Sequence, residues 1–310
     1  MKAIRLHEYG EADNLFYEEA PNPELKDNKV IVKIRATSVN HFDILAASGA
    51  LKNNMPLTLP WIPGTDFAGV VTKVGKKVTS LKKGDEVYGL QFGGLYAEYA
   101  LINPNGVVLK PKNLSFEEAA GVPQVASTAW QGLFTHGKLQ EGQTVLIHGA
   151  AGGVGAYAVQ FAHQKGARVI ATAQEKDRAY LEALGAYEVI DYERLKFEDI
   201  VKDVDLVFDL VGKDYQQRSF PIIKKGGIFV SVNQPIDEEM LKKYEISGTF
   251  MSMQRSTSDL ENIAQLLDAG KVKFDLADVY PLKEAATAWK TLLGKTSKKK
   301  THGKIVLKVE

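Results

Sequence analysis

The sequence predicts an α/β fold in two parts, a small β-rich domain followed by a doubly wound parallel sheet. Three observations predict it. The chain has 310 residues, about twice the ~150 of an ordinary domain. Its first third holds short strand-like runs punctuated by glycine, the pattern of a compact barrel-like domain. From Thr144 onward strand-like and helix-like segments alternate, which implies βαβ units with right-handed crossovers. The expected division is 1–120 for the first domain, 121–255 for the second, and 256–310 for a closing segment.

Composition narrows the class. Thirty-nine Lys and Arg against 38 Asp and Glu leave a net charge of +1, which disfavours a nucleic-acid surface or a polybasic membrane anchor. With 45% hydrophobic and 25% charged residues, the chain has ordinary globular usage. There is no cysteine, so disulfides, thiolate nucleophiles and Cys-containing zinc sites are all excluded. No run of ~18 apolar residues reads as a spanning helix. Residues 1–8 lack the apolar core of a signal peptide and run into a strand-like pattern, so a cytoplasmic location is expected.

In the first third, residues 30–36 alternate apolar and basic side chains from Val32, the period of a half-buried strand. Residues 67–75, 85–90 and 95–100 read as further strands, the last two separated by Gly93-Gly94. Ser115 with Glu118 three residues later is a capping box opening a helix that Pro123 limits, and 128–136 reads as helical again. The alternating part has strand candidates at 145–148, 168–172, 188–192, 206–211 and 228–232. Its helix candidates lie at 154–165, 176–184 and 215–224. Near the end, 258–269 and 282–293 read as amphipathic helices, each followed by glycine, and 304–309 as a closing strand. Lysines at 295 and 298–300 form a short basic run, read as a solvated loop.

The stretch from Thr144 to Gly155, TVLIHGAAGGVG, is the most informative. A buried strand runs into glycines and then into a helix start. Glycine lets backbone approach a pyrophosphate, and the first helical N–H groups favour its negative charge. The pattern departs from G-x-G-x-x-G, because Ala150 holds the first position counted back from Gly152 and Gly155. Strand, helix and next strand nonetheless fall at the required spacing. In NAD-specific sheets an acidic residue ends the second strand. That place falls on Ala173, with Glu175 two residues on and Lys176 and Arg178 beyond. Lys176 and Arg178 either pair with a 2′-phosphate or face solvent at a helix start, and NADP is favoured over NAD.

Several segments together resemble one family, the zinc-free quinone oxidoreductase (zeta-crystallin-like) branch of the medium-chain dehydrogenase/reductase superfamily. They are ATSVNHFD from Ala36, PGTDFAGVV from Pro63, GDEV from Gly84, GLYAEY from Gly94, Gly149–Gly155, LGA from Leu184, FDLVG from Phe208 and GKIVL from Gly303. The resemblance implies a GroES-like β-domain, a Rossmann domain in the middle, and a C-terminal segment returning to the first domain. It implies hydride transfer from NADPH to a quinone or α,β-unsaturated carbonyl, without flavin or zinc. An enoyl-thioester reductase and a non-catalytic NADPH-binding protein are the alternatives.

The departures from zinc-dependent relatives point the same way. Those relatives place a ligand Cys near Asn40 and a His-Glu pair after Gly64, where this chain has Thr65-Asp66. The six histidines show no close metal-ligand spacing, and His148 reads as packed or hydrogen-bonded. Zinc acts as a Lewis acid on oxygen, so its loss disfavours alcohol oxidation and leaves acceptors already activated by conjugation.

By resemblance, Asn40 and Asp43 lie on the substrate side of the nicotinamide, and Thr65 and Asp66 replace the metal-binding pair. Asn40 either donates a hydrogen bond to a carbonyl oxygen or the cofactor, or ends a strand and caps the next segment. Asp66 is either catalytic or structural. Trp61, Phe42 and Phe250 either line an apolar pocket or pack the core. On the cofactor side the resemblance points to Thr128 near the nicotinamide phosphate and to Gly152, Gly153, Val154 and Gly155 around the pyrophosphate. It also points to Lys176 and Tyr192 at the 2′-phosphate, and to Val211, Gly212, Val232 and Asn233 at strand ends. Ser252 and Lys304 are further contacts. A homodimer is expected from the family, joined through residues 246–251.

Overall fold

The computed structural model describes residues 1–298 and 302–310. The chain divides into two compact units, the first made of Met1–Gln124 and Arg255–Glu310, the second of Val125–Gln254.

The first unit opens with an antiparallel pair, β1 (Lys2–Leu6) and β2 (Leu15–Glu19). Then come β3 (Val30–Ser38), α1 (His41–Ala47), β4 (Asp66–Val74), β5 (Glu86–Leu90), β6 (Tyr99–Ile102), β7 (Val107–Leu109) and α2 (Phe116–Ala120). β3 is the hub, pairing antiparallel with β4 and β6. Val30, Val32 and Ile34 share its core face, as period-2 alternation requires, and pack with Phe67, Val71 and Val87. The expected strand at 95–100 forms only from Tyr99. The N–H groups of Leu95 and Tyr96 are both taken by Pro63 O at 3.0 Å, which ties that segment to a loop. The capping box of α2 is in place: Ser115 N donates to Glu118 Oε2 at 2.8 Å and Glu118 N to Ser115 Oγ at 3.2 Å.

Pro123 opens a helix. α3 (Pro123–Trp130) continues into one wide helical turn over Gln131–His136, closed by Gly137 N donating to Gly132 O at 2.9 Å. Proline has no N–H to lose at a first helical position, so it starts helices as readily as it stops them. The second unit then runs β8 (Thr144–His148), α4 (Gly153–Gln164), β9 (Arg168–Ala173), α5 (Arg178–Ala183), β10 (Glu188–Asp191) and α6 (Phe197–Ile200). It ends with β11 (Val204–Asp209), α7 (Tyr215–Ser219), β12 (Ile223–Ser231), α8 (Glu238–Tyr244) and β13 (Ser247–Phe250). The sheet order is β10-β9-β8-β11-β12-β13, all parallel. The order reverses between β8 and β11, the crevice where doubly wound sheets bind ligands. The expected helix at 215–224 stops at Ser219, because Pro221 sits in a 3₁₀ turn and Ile223 already belongs to β12.

The closing segment supplies α9 (Thr257–Asp268), β14 (Leu276–Pro281), α10 (Ala285–Leu292) and β15 (Lys304–Lys308) to the first unit. Leu260 O on α9 accepts from the buried Tyr88 hydroxyl at 2.9 Å. β15 lies between β14 and β3, setting Val306 opposite Ser38. Of the basic run, Lys295 pairs with Glu11 at 2.9 Å and Lys298 pairs with Asp278. Lysines 299 and 300 lie outside the described residues.

Candidate active site

In the second unit, the parallel strands all end at one edge of the sheet. β8 ends in the buried His148, whose ring nitrogens lie 3.0 Å from Thr172 Oγ1 and Ser219 Oγ. Burial, and next the Arg218 charge, push its pKa down to about 3, so the ring is neutral. After it the chain turns at Gly149, with φ +71°, a conformation favouring glycine. Gly152 N closes the turn on Gly149 O at 3.1 Å. A Cβ on Gly155 would lie 2.4 Å from Gly149 O and 2.5 Å from Ala150 O, so the helix can start this close to the strand only with glycine there.

α4 has Gly152 as N-cap and no side chain capping it. Its first N–H groups, on Gly153, Val154 and Gly155, precede the intrahelical ladder and have no side-chain acceptor among the described residues. This is what a pyrophosphate requires. Gly152 is exposed, and a Cβ there would meet only Gly149 O at 3.3 Å. The turn fits a dinucleotide.

Beside it, β9 ends at the buried Ala173, with no carboxylate at that position. The two basic residues beyond it separate. Arg178 is committed to Glu175 through two hydrogen bonds of 2.8 Å and to Val189 O at 2.7 Å, which favours the solvent-side alternative for it. Lys176 is exposed and has no hydrogen bond or ion pair among the described residues. Tyr192, 44% exposed, follows β10 with its N–H on Ala173 O. After β11 the buried Asp209 accepts from Val211 N at 2.9 Å and Gly212 N at 3.0 Å, which fixes that turn. Val232 and the exposed Asn233 follow β12, and Ser231 Oγ accepts from Asn233 N at 3.3 Å. Thr128 is buried on α3 and Ser252 is exposed after β13.

In the first unit, Asn40, Asp43, Thr65 and Asp66 form one buried polar group with Ser38 and Lys304. The elements place them in an orderly way. β3 ends at Ser38, and Asn40 precedes α1, whose Asp43 turns back to accept Asn40 N at 3.2 Å. Thr65 and Asp66 enter β4 beside it, and Thr65 Oγ1 donates to Asp43 Oδ1 at 2.5 Å. Asp66 Oδ2 accepts from Ser38 Oγ at 2.6 Å and Asn40 Nδ2 at 3.0 Å, while Oδ1 accepts from Gln124 N at 2.7 Å.

Lys304, expected among the nucleotide contacts, is part of this group. It opens β15, and its ammonium donates to Asn40 Oδ1 at 2.6 Å and Val39 O at 2.8 Å. Sequence reasoning had no signal for this pairing, since 264 residues separate the partners. Burial pushes the Asp43 carboxyl up to about 7, helped by repulsion from Asp66 and opposed by the Thr65 hydroxyl, Lys304 and Asn40 N–H. Burial also raises Asp66 and lowers Lys304, while their mutual attraction opposes both shifts.

The aromatic residues divide as well. Phe42 and Trp61 meet across Phe92, with ring centroids 5.6 and 5.7 Å from it. Phe250 lies in the second unit on the outer strand β13, half exposed. Zinc does not fit the polar group. The chain has no cysteine, a donor-only ammonium sits among its carboxylates, and no three His, Cys, Asp or Glu side chains are grouped for a metal among the described residues. Among the same residues no helix is long and apolar enough to cross a membrane.

Comparisons with known proteins agree with this geometry. Residues 26–112 match the alcohol dehydrogenase GroES-like domain, and residues 184–307 match a family described as zinc-binding dehydrogenase. The chain is 38% identical over 287 residues to a 2-methylene-furan-3-one reductase of Solanum lycopersicum, covering 88% of this chain and 70% of the relative. It is 35% identical to the chloroplastic NADPH-dependent alkenal/one oxidoreductase of Arabidopsis thaliana, covering 94% and 76%. It is 32% identical to the quinone oxidoreductase of Sus scrofa, covering 94% of both. Among solved structures, the quinone oxidoreductase from Coxiella burnetii superposes with a TM-score of 0.89 at 33% identity, covering 100% of this chain and 99% of that one. The Escherichia coli quinone oxidoreductase complexed with NADPH gives 0.89 at 28%, covering 99% and 100%. With a GroES-like unit, a Rossmann-type sheet and relatives of this identity and coverage, the chain belongs to the medium-chain dehydrogenase/reductase superfamily of oxidoreductases, among quinone oxidoreductase (zeta-crystallin-like) relatives.

Proposed function

We propose that the protein is an NADPH-dependent reductase of quinones or α,β-unsaturated carbonyl compounds, working without zinc or flavin. The observation that most supports this is the uncapped glycine turn before α4 beside a β9 that ends in Ala173, with Lys176 in the turn just beyond it. When bound, NADPH supplies a hydride to an acceptor activated by conjugation. The N–H groups of Gly153, Val154 and Gly155 hold the pyrophosphate, and Gly152 leaves room for it. Lys176 and Tyr192 take the 2′-phosphate, Lys176 by charge and Tyr192 through its hydroxyl. Thr128, the turn at Val211-Gly212, Val232, Asn233 and Ser252 complete the cofactor contacts. Asn40 donates to the acceptor's oxygen, and Asp43, Thr65 and Asp66 hold it in place. An acceptor already polarised by conjugation needs a hydrogen-bond donor at oxygen rather than a Lewis acid.

The names of the relatives support this acceptor class, because enone, alkenal and quinone reductases align over most of the chain. We place the protein in the cytoplasm as a homodimer joined at the outer edge of β13, which among the described residues has a sheet neighbour on one side only. The test is NADPH and NADH oxidation by purified protein against a panel of 2-alkenals, enones, quinones and enoyl thioesters. Oxidation of NADPH by enones or quinones is expected. Cofactor binding without turnover across the panel overturns the catalytic reading, and turnover of thioesters alone overturns the acceptor class.

A further inference from the structure

The amide of Asn40 is held from both ends by groups of opposite hydrogen-bonding character. An ammonium only donates and a carboxylate only accepts. Lys304 Nζ meets one end at 2.6 Å and Asp66 Oδ2 meets the other at 3.0 Å. This leaves the amide a single orientation, Oδ1 on the lysine and Nδ2 on the aspartate. Neither clamp is loose. Lys304 is also tied to Val39 O, and Asp66 to Ser38 Oγ and Gln124 N.

Asn40 Nδ2 carries two N–H groups. Its two acceptors, Asp66 Oδ2 at 3.0 Å and Ser38 Oγ at 3.2 Å, lie only 2.6 Å from each other. They subtend an angle of about 50° at the nitrogen, whereas its two N–H groups diverge by about 120°, so both cannot point straight at these acceptors. One N–H is therefore left without a well-aligned acceptor among the described residues, although Asn40 is only 5% exposed. A donor buried to this degree and poorly aligned with its acceptors is rare in folded chains and is open to a partner from outside the chain.

We propose that Lys304 is the positioning residue of this site: by holding Oδ1 of Asn40 it aims the remaining amide N–H at the oxygen of the bound acceptor. The inference rests on the reductase reading for its acceptor, but the Lys304–Asn40 clamp is made by the chain's own side chains. The ammonium does not touch the acceptor. Its effect passes through the amide, which stabilises negative charge on the acceptor oxygen as reduction proceeds.

The test compares Lys304→Met, Lys304→Arg, Asn40→Ala and the double variant Asn40→Ala/Lys304→Met in the full chain, with an enone and NADPH. Loss of one preorganised oxyanion donor lowers kcat by about 10²-fold, which is the expectation for Asn40→Ala. Lys304→Met is expected to lower kcat at least about 10-fold with the NADPH Kd unchanged, and Lys304→Arg to recover part of the loss. In the Asn40→Ala background, Lys304→Met is expected to change kcat by less than about 2-fold, because a residue acting through another has nothing left to act on. Losses that multiply in the double variant, or an unchanged kcat in folded Lys304→Met, overturn the proposal.

A second readout needs no turnover. With Asn side chains labelled by ¹⁵N, the Asn40 amide pair of the apo protein is expected to shift or double in Lys304→Met, and also in Lys304→Gln should the methionine variant not fold. Unchanged Asn40 signals overturn the clamp. A wild-type protein that binds NADPH but reduces no carbonyl acceptor refutes the reductase reading, and the amide spectrum then still decides the clamp.

Discussion

Replacing Asp43 by Asn makes a pH-dependent prediction with a definite sign. The Asp43 carboxyl is wholly buried and titrates at about 7 in the folded chain, against about 3.9 when unfolded. Between those values the folded state holds a proton that the unfolded state has released, so stability falls as pH rises and levels off above 7. The full span is about 3 units, or about 4 kcal/mol at 1.36 kcal/mol per unit. The groups facing Asp43 are Thr65, Asn40 N–H, Asp66, Lys304 and Tyr96. Asparagine keeps the shape, accepts from Asn40 N and donates to Thr65 Oγ1, but does not titrate. The stability of Asp43→Asn relative to wild type is therefore expected to rise with pH, by up to about 4 kcal/mol between pH 4 and 8. Urea unfolding at half-unit pH intervals measures it. Trp61 and Trp289 report on the first unit, and a Trp130→Phe background removes the signal of the second. A stability difference that stays constant from pH 4 to 8 refutes the reasoning.

Other predictions concern the second unit. Gly152→Ala meets only Gly149 O at 3.3 Å and is expected to fold normally while weakening NADPH binding by about 10²-fold or more, through loss of charge-assisted N–H contacts. Gly155→Ala overlaps two backbone oxygens and is expected to lower the melting temperature of the apo protein; equal melting of the two variants contradicts this. Lys176→Ala is expected to weaken NADPH about 10-fold and leave NADH nearly unchanged, and equal losses would rule out a 2′-phosphate contact. His148 titrates near 3 folded and about 6.5 unfolded, so its contribution falls by about 2 kcal/mol as pH drops to 5. His148→Gln is expected to remove that acid-side loss, and an unchanged pH slope would contradict it.

Much of the second unit was legible because its signals are local. The strand at Thr144, the glycines from Gly149 and the helix to Gln164 lie within one short run, and the buried apolar strands follow at regular intervals. Element ends were less legible where one residue type serves two purposes. Pro123 reads as a stop but occupies a helix start, and the helix expected to reach residue 224 ends before Pro221. In the first unit, the run at Asn40 and Asp43 and the pair Thr65-Asp66 stood out by resemblance, yet their roles could not be read from neighbours. The network depends on Lys304, which reaches Asn40 only because β15 pairs with β3 at the far end of the chain. No periodicity encodes a contact across that separation. Phe92 was missed for a similar reason, since it acquires Phe42 and Trp61 as neighbours only through the loops of the folded unit.

Hydride transfer from NADPH with no metal is tested by enone-dependent NADPH oxidation by protein stripped with chelator and checked by elemental analysis. Full turnover at one NADPH per chain, unchanged when zinc is added back, is the predicted result. Failure to take up NADPH, or turnover that appears only with stoichiometric zinc, would contradict it.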